Sequence, residues 1–158
     1  MRILALTAFG IVALYPLSAI AAPTGKFLQD AIKGDNSEMR LGALAATRAV
    51  RPATRAYGRT LQRDHAKAKV DAVALARRNR VAVPTTMMPE AQAEYRRLSR
   101  LRGAAFDREF ARYMVDDHHK DVADFREQVR TGRDGTAALA RKTLPTLRKH
   151  LRLAQSLG

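Results

Sequence analysis

The 158-residue chain carries 29 basic and 15 acidic side chains, a formal charge of +14, and neither cysteine nor tryptophan. Its 46% hydrophobic fraction beside 28% charged residues excludes a disordered chain and suits one domain with its own core. Sparse glycine and proline, with almost no strand-like alternation, predict an all-α fold, and without cysteine there is neither a disulfide framework nor a thiolate zinc site.

The opening stretch reads apart from the rest. Arg2 precedes an apolar run over residues 3–22, and Ala19-Ile20-Ala21 supplies a small-residue cleavage pattern. Residues 1–21 are therefore expected to be a secretory signal peptide and residues 22–158 a mature domain of charge +13, since only Arg2 is lost. No cysteine follows the run to take a lipid, and no further stretch is apolar enough for a transmembrane segment.

Residues 26–33 predict a short helix, with Phe27, Leu28, Ala31 and Ile32 apolar and Gly34 as its stop. Asp35, Asn36 and Ser37 are good N-caps, so a second helix is expected from there to about residue 50. Pro52 suits the first position of the next helix and predicts a tight turn at 50–52, although no strong capping residue marks it. That next helix, 52–80, presents Tyr57, Leu61, His65, Ala68, Ala72 and Leu75 on one stripe. Residues 81–89, which hold Pro84 and Pro89, form a crossover, and 90–101 a short helix. The helix over 103–130 carries Phe106, Phe110, Met114, Val122, Phe125 and Val129 on one face, with His118 filling the gap in the row. A glycine turn at 131–135 leads to a last helix, 136–156, with His150 inward and Pro145 expected to kink or restart it. Two hairpins joined by a long crossover make the connectivity of a ferritin-like four-helix bundle.

Each main helix thus places one ionisable group on or beside its apolar stripe: Glu38, His65, His118 and His150. Glu38 lies about thirteen residues before the first turn and His65 about fourteen after it, so at roughly 1.5 Å per residue the two stand level. His118 and His150 lie about fifteen and seventeen residues either side of the second turn, within about one helical turn of each other. Three imidazoles and a carboxylate are good ligands for zinc, iron or copper. Asp64 and Asp117, each preceding a histidine, point about a quarter-turn away and are candidates to support the ligands from behind. Asp107 sits near the start of its helix, where a carboxylate also complements the helix dipole. The alternative is a structural polar layer, with Glu38 pairing to His65 across the hairpin.

The di-iron pattern requires Glu-x-x-His on two helices, and this chain has none; Asp116-x-x-His119 is the nearest match, with His119 rotated toward solvent. There is no nucleophile motif, glycine-rich phosphate loop or nucleic-acid motif. Residues 77–102 hold seven arginines against Glu90 and Glu94, a basic surface suited to an anionic envelope surface such as lipid headgroups.

The run Glu38, Leu41, Gly42, then Asp64-His65, then Gly103, Phe106, Asp107, resembles a bacterial domain-of-unknown-function family, number 4142. The likeness continues through Met114, Val115, Asp117 and His118, and then Leu144, Pro145, Leu147, His150 and Leu151. The resemblance implies a ferritin-like fold and export, since the family is often labelled "predicted outer membrane protein", and it implies no established activity. Members tend to have a small capping residue and Asn where this chain has Val50 and Arg51, and Tyr where it has Phe110. The expectation is an exported, periplasmic bundle acting as a non-catalytic binding or envelope accessory protein, with a candidate metal site at Glu38, His65, His118 and His150. The rival is a metal-dependent redox enzyme or metal-storage protein.

Overall fold

The computed structural model describes residues 22–158, so the expected signal peptide at 1–21 lies outside the described residues. Four long helices and one short one follow in order: α1 (Ala22–Arg48), α2 (Pro52–Arg78), α3 (Pro89–Leu98), α4 (Gly103–Thr131) and α5 (Thr136–Gln155). The fold is an all-α bundle in which α1 packs chiefly on α2 and α4 on α5, with α3 in the crossover between the two hairpins.

The first helix corrects the expectation. Gly34 does not end it; α1 is a single element of 27 residues. The residues read as caps face the interior and make tertiary bonds instead. Asp35 pairs with His65, and the Asn36 amide donates to the carbonyls of Pro84 (3.2 Å) and Thr86 (3.0 Å). Ser37 accepts the Met88 amide at 3.0 Å. Polar side chains that satisfy the crossover's backbone have no cause to break their own helix.

The turn before α2 falls where Pro52 predicts it, with the proline in the first turn. Its missing cap arrives from another helix: Asp107 accepts the N–H groups of Val50 (3.1 Å) and Arg51 (2.7 Å). Asp107 therefore caps the α1–α2 turn, which corrects its reading as support for a metal ligand. Within this hairpin the helices meet at Gly42 and Gly58, where a Cβ on either would come within 2.6 Å of the other's carbonyl oxygen. The second hairpin turns through Asp134 (φ 52°) and Gly135 (φ 87°), and a Cβ on Gly135 would meet Leu75 at 2.9 Å. The last helix runs on through Pro145, which lies on its exposed side, so no restart occurs.

Two apolar clusters fill the bundle. One gathers Leu41, Tyr57, Leu61, Phe106, Phe110 and Met114 with the α3 residues Ala91 and Leu98. The other joins Leu28 and Ile32 to Ala72, Leu75, Ala76 and Leu139. Between them along the helices come Asp35, Glu38, His65, His118 and His150, all buried. The core is thus interrupted by one ionisable layer.

Candidate metal centre

Each side chain of this layer is delivered by regular helix. His65 follows Leu61 by one turn on α2, His118 follows Met114 on α4, and His150 lies one residue short of a turn after Leu147 on α5. The three ring centroids are 5.2 to 6.1 Å apart, and one ring nitrogen from each falls within 4.8 Å of the other two. His118 and His150 are fully buried and His65 nearly so.

Every ring is held from behind. His65 Nδ1 lies 2.9 Å from Asp35 Oδ1, His118 Nδ1 lies 3.0 Å from the Met114 carbonyl, and His150 Nε2 lies 3.0 Å from Asp64 Oδ2. A carbonyl only accepts, so the His118 proton sits on Nδ1 and its Nε2 keeps a lone pair; a carboxylate partner sets the other two tautomers the same way. The nitrogens left over are His65 Nε2, His118 Nε2 and His150 Nδ1, all buried and with no hydrogen-bond partner among the described residues. The Tyr57 hydroxyl shares that condition, while Glu38 has the Asp117 carboxyl beside it. Histidines backed by carboxylates or carbonyls, with their outer nitrogens free, match how proteins orient imidazole toward a metal.

Electrostatics favour neutral rings at His118 and His150. Burial pushes the His118 pKa well below its ordinary value, helped by the neighbouring His65 and His150. Burial, with His65, likewise lowers His150 to about 4 despite the pull of Asp64. Burial raises Asp64, but hydrogen bonds from His150 and Lys149 and the charges of Lys149 and Arg63 outweigh it and bring the carboxyl to about 2. Glu38 is pushed well up by burial and then by Asp117, and Asp35 is raised by burial against the His65 hydrogen bond.

The expected residues do not form one four-membered set. Glu38 groups instead with Asp117 and His118, whose ligand atoms lie within 4.8 Å of one another, so His118 belongs to both groups. Asp117 accepts a long bond from the Tyr113 hydroxyl at 3.4 Å. Asp64 supports a histidine, but the one on α5, not its own neighbour His65. His119 is exposed. The residue that sequence reasoning missed is Asp35. Its signal was present: three positions before Glu38 it shares that residue's helical face, but the helix break placed at Gly34 hid the register.

From the layer a cavity of about 490 Å³ runs between α1 and α4, from buried Asp35 and His65 to exposed Asp124 and Glu127. Ser37 and Met88 also line it.

Among solved structures, the chain is similar to the crystal structure of a DUF305 fragment from Deinococcus radiodurans. That likeness has a TM-score of 0.74 at 21% identity and covers 84% of this chain and 93% of that one, which speaks to the helical bundle fold alone. No curated protein matches the chain. The profile of the family described as domain of unknown function DUF4142 matches residues 16–157, nearly the whole sequence, and the chain belongs to that family.

Proposed function

We propose that this protein is an exported, periplasmic or envelope-associated accessory protein that binds one transition-metal ion, zinc, iron or copper, in the middle of a ferritin-like bundle. His65, His118 and His150 supply the ligands and Glu38 lies beside them; Asp35, Asp64 and the Met114 carbonyl orient the rings. The observation that carries this reading is the set of three imidazole nitrogens, all buried, close together and without hydrogen-bond partners among the described residues, with the Tyr57 hydroxyl unpaired as well. A purely structural layer would leave each of them at a cost of about 1–3 kcal/mol, whereas a metal uses the lone pairs directly. The bound ion supplies Lewis acidity or a redox couple, and the chain's part is to fix the rings and exclude water.

The second group around His118 favours a rival reading, a two-metal redox or storage centre in which Glu38 and Asp117 hold a further ion. Metal analysis of protein purified without a histidine tag separates the outcomes. Wild type should carry about one equivalent and His65→Ala/His118→Ala none; two equivalents favour the rival. Metal-free wild type whose thermal stability ignores both added metal and chelator overturns both.

A further inference from the structure

We infer that the cavity between α1 and α4 is the loading route of this centre, a carboxylate-lined vestibule that captures a hydrated metal cation and passes it to the histidines. The inference rests on the metal-site reading above and adds to it where the ion comes from. In a chain of charge +14, seven of the fifteen acidic side chains line this one cavity, against two lysines. Lys26 is taken up by Asp30 and Lys120 by Glu90, and Glu127 pairs with Arg130. Asp121 and Asp124 have no ion-pair partner among the described residues.

With Asp117 these two stand at spacings of four and three on α4, so three carboxylates descend one face of the helix toward the buried layer. At the inner end stands His65, only 4% exposed, lining the cavity with its Nε2 unpartnered. That side chain, one of the three clustered imidazoles, is where the acidic wall meets the buried layer. Opposite, Gly34 lies within α1, where glycine costs about 1 kcal/mol relative to alanine, and nothing stands within 4 Å of where its Cβ would be. The wall is left open there, and hard oxygen ligands are apt for a cation that still holds its water. Negative potential in a cleft also focuses cations, raising association rates by about 10–1000-fold and falling with salt.

The test is stopped-flow mixing of the metal-free protein with cobalt(II), followed by the visible absorption that nitrogen ligation produces. Asp121→Asn/Asp124→Asn should slow association about tenfold and flatten its salt dependence, slow dissociation similarly, and leave Kd within about threefold of wild type. Gly34→Leu, which plugs the wall without changing charge, should slow both rates and keep the salt dependence; it decides the matter should the asparagine variant lose its helical circular dichroism. Unchanged rates, while wild type still takes up one equivalent, overturn the route and leave the site standing. Faster dissociation in the asparagine variant would make these carboxylates final ligands, which also overturns it. Failure of wild type to bind cobalt removes route and site together.

Discussion

Glu38 is where the proposed metal site would cost the metal-free fold stability. It is 1% exposed, with the Asp117 carboxyl as its close polar neighbour. Its folded pKa lies above the unfolded value, so the native state takes up this proton first as pH falls. The destabilisation from burying it is therefore full only above the raised pKa, shrinks as pH drops through it, and is gone below about 4.5. Glu38→Gln should make the metal-free protein more stable by about 1–3 kcal/mol at pH 7, with the gain vanishing near pH 4, while metal affinity falls. Urea midpoints at the two pH values check this. His150 works with the opposite sign: its pKa of about 4 lies below the unfolded value of about 6.5, so the stability it carries is lost as pH falls through that interval.

At the scale of elements, the first hairpin depends on two features that local propensity would not single out. Gly42 and Gly58 allow α1 and α2 to close backbone to backbone. Gly58→Ala raises helix propensity by about 1 kcal/mol, yet its Cβ would stand 2.6 Å from the Gly42 carbonyl oxygen. Net destabilisation of about 1–3 kcal/mol is expected in thermal unfolding, because the obstacle is backbone and the helices must separate. Asp107 ties the same hairpin to α4 by accepting two amides of the turn from a position only 2% exposed. Asp107→Ala should cost about 3 kcal/mol without altering metal stoichiometry, whereas a ligand-supporting role would lower metal content in step with stability.

Across the whole molecule, charge is sorted by location: arginines dominate the surface while carboxylates concentrate at the cavity and the buried layer. If the protein is exported and touches an envelope surface through this basic exterior, residues 22–158 should bind anionic vesicles at low ionic strength. Sedimentation with vesicles should show that binding lost between roughly 0.05 and 0.5 M salt as the Debye length contracts. Salt-insensitive binding, or none, removes the surface-attachment reading. Among the described residues, no helix is long and apolar enough to cross a membrane.

Much of the architecture was legible in the sequence, because helical periodicity is a local property. The rows through His65, His118 and His150 marked three inward faces, Pro52 and Gly135 marked the hairpins, and counting residues from each turn put the rings at similar heights. The misreadings have one cause. Gly34 followed by Asp35, Asn36 and Ser37 has the local form of a helix stop and restart, and only contacts with residues 30 to 51 positions away show those side chains bonded elsewhere. Asp107 capping a turn 56 residues earlier, and Asp64 supporting the histidine of another helix, were equally beyond local reading. Sequence alone determined which faces turn inward, since that follows from a repeat of 3.6 residues along one chain. Tertiary structure decided which carboxylate serves which ring, since a hydrogen bond reaches about 3 Å and its partner is chosen by how the helices cross.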